Sequence, residues 1–238
     1  TLFRSGPASA ATVELHYDAR AFSAAVDTIA ITDGNPVDEN APQGSRTGRM
    51  YGNWGPPSER SASIGGLKMA DVKYLTDRVK SLDVATPLYQ AGGQPVANGK
   101  NVITNPKIYA TDENFAVLNR TELNEGRNIS SDDQKNRANV CVIGEEVAGK
   151  LFPGQSPVGQ YVSLKGIALQ VIGVEKKRDF LGDNNAREVI MPLSTAQDKW
   201  VGGDNLMMIM CRPKAGVAVP DAMEEAWEAL MLKSGNKR

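Results

Sequence analysis

The sequence is poor in the side chains that carry out chemistry. Among 238 residues there are one histidine, two cysteines and three tryptophans, and the formal net charge is -1. His16 stands without a serine or cysteine motif beside it, which excludes a catalytic triad and a histidine-based metal site. The balanced charge creates no field that would attract nucleic acid, so we expect no nucleic-acid partner.

Long hydrophobic runs are also missing. No apolar stretch approaches the roughly 18–20 residues that a membrane-spanning helix needs. The opening segment, TLFRSGPASA, lacks the apolar core of a signal peptide. Hydrophobic residues nevertheless make up 41% of the chain, which suffices for the core of one large domain or two small ones.

The sulfur-containing residues indicate packing rather than a metal or redox site. Cys141 and Cys211 lie in apolar strand patterns, and no C-x-x-C motif occurs. We expect buried free thiols, and whether the two pair is left open because the sequence does not give their separation. Met208 and Met210 share one face of a predicted strand without cysteine or histidine ligands nearby, so core filling is favoured over copper binding.

One segment imitates a phosphate-binding loop. Residues 144–151, GEEVAGKL, match G-x-x-x-x-G-K after an apolar strand. Leu151 stands where a magnesium-binding loop needs a hydroxyl, and Glu145 and Glu146 would repel phosphate. The segment therefore predicts a short helix with acids at its positive end, and no nucleotide or other cofactor is expected.

Two pairs of acids could suggest catalysis. Asp132 and Asp133 lie in a polar turn, and Asp179 and Asp183 lie in DFLGDNN, which lacks the spacing of a calcium-binding loop. We interpret them as solvated loop acids. A catalytic role would require at least one acid with a strongly raised pKa in a cleft.

Hydrophobic periodicity predicts an ordered series of elements. The predicted helices span 67–80, 112–118, 145–151 and 219–232. The predicted strands span 26–31, 84–90, 101–110, 140–144, 160–164, 168–174, 189–193 and 206–212. We expect Pro106 to mark an edge strand, residues 165–167 to form a hairpin turn, and Trp227 to lie in the core with the apolar stripe of the last helix.

A long loop rich in glycine, proline and serine spans residues 33–66. Tyr51 and Trp54 are its large aromatic residues. They are candidates for contact with a partner, although rings that tuck onto the domain and pin the loop would explain them better.

The order of several short motifs resembles a known family. VCVIG (140–144), EEVAGKLFPG (145–154), SPVGQYVSL (156–164) and ALQVIGV (168–174) follow LNEGR (123–127) and precede VIMPL (189–193). This order is similar to the periplasmic core domain of MacB-type, FtsX-like ABC transporter permeases. The positions that match the family motifs, to which we assign a structural role, are Gly126, Arg127, Val142, Gly144, Val147, Ala148, Leu151, Phe152, Pro157, Gly159, Val171, Gly173, Val174 and Pro192.

The resemblance implies an α+β fold with two subdomains. A porter-like α/β sandwich would comprise residues 1–91 and 203–238, including the loop at 33–66. A Sabre-like subdomain, with a mixed or antiparallel sheet and short helices, would be inserted at 92–202. We expect Phe152 to be buried, since it ends the helix of the central motif.

The resemblance also implies a function without catalysis. The chain would be a periplasmic domain of an inner-membrane transporter, transmitting movement driven by ATP hydrolysis on a separate cytoplasmic subunit or domain. Its implied partners are a second permease copy, that ATP-binding subunit, and a periplasmic adaptor or substrate protein. The alternative is a free-standing secreted module that binds a solute or peptide.

Overall fold

A computed structural model describes residues 14–17, 29–32, 67–91, 93–180, 183–204 and 206–233. Tyr51 and Trp54, with the rest of the 33–66 loop, lie outside the described residues. Within the described part, none of the helices combines the length and apolar character required to cross a membrane.

Runs of consecutive strands are separated by short helices along the described part of the chain, which confirms the predicted α+β class. The strands are β1 Glu14–Tyr17, β2 Ile29–Thr32, β3 Leu82–Ala91, β4 Val96–Asn98, β5 Asn101–Ile103, β6 Lys107–Thr111, β7 Leu123–Gly126, β8 Val140–Gly144, β9 Tyr161–Leu164, β10 Ile167–Glu175, β11 Asp179–Phe180, β12 Asp183–Asn184, β13 Glu188–Pro192 and β14 Met208–Pro213. The helices are α1 Met69–Arg78, α2 Asn114–Leu118, α3 Ser131–Lys135, α4 Glu145–Leu151, α5 Leu193–Ala196 and α6 Val219–Lys233, and a π-helical turn, Gln197–Val201, follows α5.

The described residues fall into two compact units. The first contains those up to Leu88 and from Asp204 onward, and the second contains those from Tyr89 to Gly203. The chain therefore leaves the first unit once and returns to it once.

The first unit contains an antiparallel sheet in the order β1-β2-β14-β3. Helices α1 and α6 pack against each other. Lys233 at the end of α6 forms an ion pair of 2.5 Å with Asp71 of α1. The carboxylate of Glu225, also on α6, accepts hydrogen bonds from the backbone N–H groups of Lys80 and Ser81.

The buried face of α6 differs from the predicted stripe. Val219, Ala222, Ala226 and Leu230 are buried, whereas Trp227 is only half-buried, so its predicted core position is wrong. Ala222 and Ala226 are fully buried, and their small side chains allow a close approach of the helix at this face, which does not include Trp227.

The second unit contains a mixed sheet in the order β6-β13-β8-β10-β9-β4-β5. Strand β10 runs parallel to β8, and β13 runs parallel to β6. Along its other edge, β10 pairs first with β9 and then with β7, both antiparallel. Strand β10 is therefore the central element on which three neighbours are built.

The predicted hairpin has a tighter turn than expected. Leu164 pairs with Ile167, which leaves Lys165 and Gly166 as a two-residue turn with φ of 51° and 79°. Positive φ at both positions is typical of a type I′ turn. The ammonium group of Lys165 lies 4.6 Å from the ring centre of Trp200, a cation–π contact that holds the tip of the hairpin.

Pro106 separates two strands rather than marking one edge strand. Strand β5 does end the sheet of the second unit, but β6 pairs with β13 and is buried from Ile108 to Thr111. The edge expectation is thus confirmed for β5, whereas the proline lies in the turn before β6 and removes no hydrogen bond from its ladder.

Candidate functional site

The predicted motif residues all lie in the second unit, in strands β7, β8, β10 and β13, in α4 and in the turns between them. The motif residues with side chains in the core of the unit are Val142, Val147, Ala148, Leu151, Phe152, Pro157, Val171, Val174 and Pro192. Phe152 is 4% exposed, which confirms its predicted burial.

Two motif glycines face each other where β7 meets β10. Gly126 pairs with Gly173, and the N–H of Arg127 donates to the carbonyl of Ile172 at 2.8 Å. Gly126 has φ +80°, and a Cβ there would lie 2.2 Å from the Ile172 oxygen. A Cβ on Gly173 would lie 2.4 Å from the carbonyl oxygen of Arg127. Only glycine permits this approach from both sides.

A third motif glycine lies between β8 and the chain that enters β13. A Cβ on Gly144 would lie 2.2 Å from the carbonyl oxygen of Asn185 and 2.5 Å from that of Ala186. We define Gly126, Gly144 and Gly173 as the glycine cluster.

The imitation of a phosphate-binding loop is explained by the same contact. Helix α4 spans the predicted residues 145–151, and the N–H groups of Glu146 and Val147 both donate to the carbonyl of Ala186. The side chain of Glu146 pairs with Arg187 at 2.5 Å. The donors that would cradle a phosphate are thus occupied by backbone, so the segment is a structural helix start.

The remaining turn motif sets the entry to the hairpin. Gly159 has φ +86°, and its N–H donates to the carbonyl of Val171 at 2.8 Å. The left-handed conformation favours glycine here, which gives the P-V-G segment a backbone role.

Arg127 and Asp133 form a partly buried ion pair. The guanidinium donates from Nη1 to Oδ2 at 2.6 Å and from Nη2 to Oδ1 at 3.0 Å. Oδ2 also accepts from the backbone N–H and the hydroxyl of Ser130, which caps α3. The hydrogen bonds from Arg127, then those from Ser130, lower the pKa of Asp133 to about 2.

The interpretation of Asp133 as a solvated loop acid is therefore wrong. Its side chain is 9% exposed because α3 folds back on Arg127, whereas Asp132 beside it is exposed. Backbone pairing places Asp183 opposite Phe180 and Asp179 opposite Asn184, so the second acid pair lies in the β11–β12 ladder.

The acid with a raised pKa is one that the motif analysis missed. Glu175, the last residue of β10, is 1% exposed and lines a cleft of about 10 Å³. Burial raises its pKa, although the charge of Arg178 and hydrogen bonds from Asn185 and from the hydroxyl of Thr121 oppose the shift. The sequence contained one signal for this residue, because Glu175 is an acid at the end of an otherwise apolar strand.

Both cysteines are free and fully buried. Burial raises the pKa of Cys141 and of Cys211 to about 12, so neither thiol is reactive near neutral pH. Among the described residues no group of three or more acidic, histidine or cysteine side chains could hold a metal ion.

Comparison with known proteins gives consistent results. The chain is 31% identical, over 187 residues, to the macrolide export ATP-binding/permease protein MacB of Hahella chejuensis, covering 78% of the chain and 28% of that relative. It is 30% identical to the probable syringafactin export ATP-binding/permease protein SyfD of Pseudomonas syringae pv. tomato, covering 80% of the chain and 28% of that relative. The chain thus spans under a third of the length of these two relatives.

Solved structures show the same fold. The periplasmic region of MacB from Actinobacillus actinomycetemcomitans matches with a TM-score of 0.68 and 24% identity, over 89% of this chain and 86% of that one. The extracellular domain of the transporter YknZ from Gram-positive bacteria matches with a TM-score of 0.64 and 18% identity, over 76% of this chain and 92% of that one.

The close backbone approach at the glycine cluster predicts a large effect of one methyl group. Gly173→Ala forces backbone apart and should lower the free energy of unfolding by at least about 3 kcal/mol. Gly149→Ala, in α4 with open space around its Cβ position, should instead raise it by about 0.5–1 kcal/mol. Urea unfolding of both variants measures the contrast, and equal stabilities would contradict the assigned packing.

The ion pair of Asp133 predicts a defined dependence on pH. Its pKa in the folded chain, about 2, is below the value of about 3.9 in an unfolded chain. The stabilisation is therefore present above pH 4 and is lost as the pH falls toward 2. Asp133→Asn should cost about 1–2 kcal/mol at pH 7, discounted for the half-exposed Arg127, and less at pH 3. Asp132→Asn serves as the exposed control; a cost of Asp133→Asn that did not change with pH would contradict the assignment.

The resemblance stated from the motifs is confirmed by a family model, and so is the periplasmic location that it implied. That model, described as the MacB-like periplasmic core domain, matches residues 11–229. The chain belongs to the MacB-like periplasmic core domain family.

Proposed function

We propose that this chain is the part of an ABC exporter permease that transmits ATP-driven movement to a substrate or partner outside the membrane. Hydrolysis of ATP would take place in another part of the transporter, and this domain would catalyse no reaction. The names of the relatives, ATP-binding/permease proteins for export, support the transporter context.

The glycine cluster carries the proposal. A domain that transmits force has to move as a rigid body, because a soft one would absorb the displacement. In the second unit, backbone of β7, β8 and β10 and of the chain before β13 approaches to distances that leave no room for a Cβ. Such packing resists deformation, which is what a force-transmitting domain requires and a flexible binding loop does not.

The chain would contain the two subdomains that the resemblance implies. We propose that residues 1–91 and 203–238 form the porter-like subdomain and that 92–202 form the inserted Sabre-like subdomain. The partners would be a second permease copy, a cytoplasmic ATP-binding subunit or domain, and a periplasmic adaptor or substrate protein.

The first test is the membrane topology of the full-length protein that contains this chain. We expect one apolar span before Thr1 and three after Arg238, with the chain itself outside the cytoplasm. Tags placed on both flanks and probed for accessibility measure this. A cleaved signal before Thr1 and a stop codon near Arg238 would contradict the proposal and favour a secreted binding module.

The second test measures the movement itself. In the reconstituted full-length protein, a spin label on Tyr161→Cys would report the distance between two copies, since Tyr161 is 56% exposed. Cys141 and Cys211 would stay unlabelled because they are buried and protonated. We expect the distance distribution to shift when ATP and vanadate are added.

A label pair within one unit provides the control. Tyr161→Cys combined with Val117→Cys, 53% exposed, places both labels in the second unit, so their mutual distance should not change with nucleotide. An unchanged distance between copies would contradict force transmission, and a changed distance within the unit would contradict its rigidity.

A further inference from the structure

The chain leaves the second unit through a segment with unusual backbone. The π-helical turn Gln197–Val201 is followed by Gly202 and Gly203, which have φ of 70° and 75°. Gly202 combines its φ with ψ of 137°, close to a region that is essentially restricted to glycine. A Cβ at either glycine would have nothing within 4 Å, so packing does not hold them. These two glycines can therefore absorb a displacement unless the turn before them is fixed.

The side chain of Trp200, in that turn, is held from two directions. The ring of Tyr89, the first residue of the second unit, meets it edge to face with ring centres 6.3 Å apart and an angle of 72°. The ammonium group of Lys165 lies 4.6 Å from the centre of the Trp200 ring. Trp200 thus connects the end of the second unit to its beginning and to the turn of the β9–β10 hairpin.

The same turn has one further side-chain anchor. Asp198 forms an ion pair of 2.8 Å with Arg137, and these side chains are 40% and 62% exposed. An exposed ion pair is screened by solvent and contributes little. It is therefore a weaker anchor than the two ring contacts of Trp200 together.

The backbone of the hairpin gives a second, independent indication that the side chain of Lys165 has a role. Lys165 is the first residue of the type I′ turn, with φ of 51°. Asparagine, aspartate and glycine are preferred at this position, and a lysine in the left-handed region is strained. Turn chemistry alone would favour asparagine here. The contact with Trp200 is a physical reason for a lysine instead.

We propose that Tyr89, Lys165 and Trp200 form a clamp that fixes the exit of the second unit. A displacement that enters the unit there is then passed to the β9–β10 hairpin and is not absorbed by Gly202 and Gly203. Tyr89 and Lys165 are positioning residues, because they act through Trp200. The role of the clamp in transmission rests on the function proposed above, whereas its effect on the exit segment can be measured separately.

The first test is hydrogen exchange of the purified full-length protein, followed by mass spectrometry of peptides that contain residues 197–203. The N–H of Gly202 donates to the carbonyl of Gln197 at 3.1 Å, so its exchange reports the opening of the turn. We expect Lys165→Asn to speed this exchange about threefold, because the cation–π contact is lost. Lys165→Arg should leave it unchanged, since a guanidinium also stacks on an aromatic face.

Two controls separate the clamp from other effects of the substitution. Lys100→Asn removes one charge from the other two-residue turn, Gly99–Lys100 between β4 and β5, and should not change exchange at 197–203. Peptides from β9 and β10 should keep their protection in Lys165→Asn, because asparagine suits the turn. Equal exchange at 197–203 in Lys165→Asn and Lys165→Arg would overturn the proposal. Faster exchange in β9 and β10 as well would also overturn it, since the lysine would then act on the hairpin.

The second test measures transmission with the label on Tyr161→Cys, which lies on the same hairpin. In the reconstituted full-length protein, we expect the shift in distance between copies on addition of ATP and vanadate to be smaller with Lys165→Asn and to be restored with Lys165→Arg. An undiminished shift with Lys165→Asn would overturn the role of the clamp in transmission. No shift in the protein with Lys165 intact would instead contradict the proposed function, and the exchange measurement would still decide whether the clamp exists.

Discussion

The close contact of two backbones, at Gly126 of β7 and Gly173 of β10, is the constraint on which the second unit depends. It sets the position of Arg127, whose N–H bonds the Ile172 carbonyl and whose side chain holds Asp133 at the start of α3. From α3, Gln134 reaches the carbonyl of Thr111 in β6 and accepts from the N–H of Ser194 in α5. A series of polar bonds thus connects this backbone contact to β6 and α5.

The surroundings of Asp133 and Glu175 shift the pKa values of these two acids in opposite directions. Both are buried, yet the pKa of Asp133 is lowered and that of Glu175 is raised. Asp133 receives two hydrogen bonds from a guanidinium and two more from Ser130, which stabilise its charge. Glu175 receives hydrogen bonds only from the neutral side chains of Asn185 and Thr121 and is 1% exposed, so desolvation prevails. The surroundings therefore favour the charged form of the first acid and disfavour the charged form of the second.

A domain with few reactive groups and tightly packed backbone suits mechanical work. Its thiols are buried, and the N–H groups at the start of α4 donate to the Ala186 carbonyl. The glycine cluster allows backbone segments to approach more closely than a Cβ would permit.

The local sequence was sufficient to predict the elements whose signals are local. Residues 145–151 form the predicted helix, with acids in the first turn and a lysine in the last, and Gly166 predicted the hairpin because its conformation is set within the turn. The order of short motifs was enough to identify the family. Tertiary structure alone decided which face of α6 is buried, that Asp133 is paired rather than solvated, and that Glu175 lines a cleft. These outcomes depend on partners distant in the chain, such as Asn185 for Glu175, and on side-chain volumes across a packed interface, which periodicity and composition do not encode.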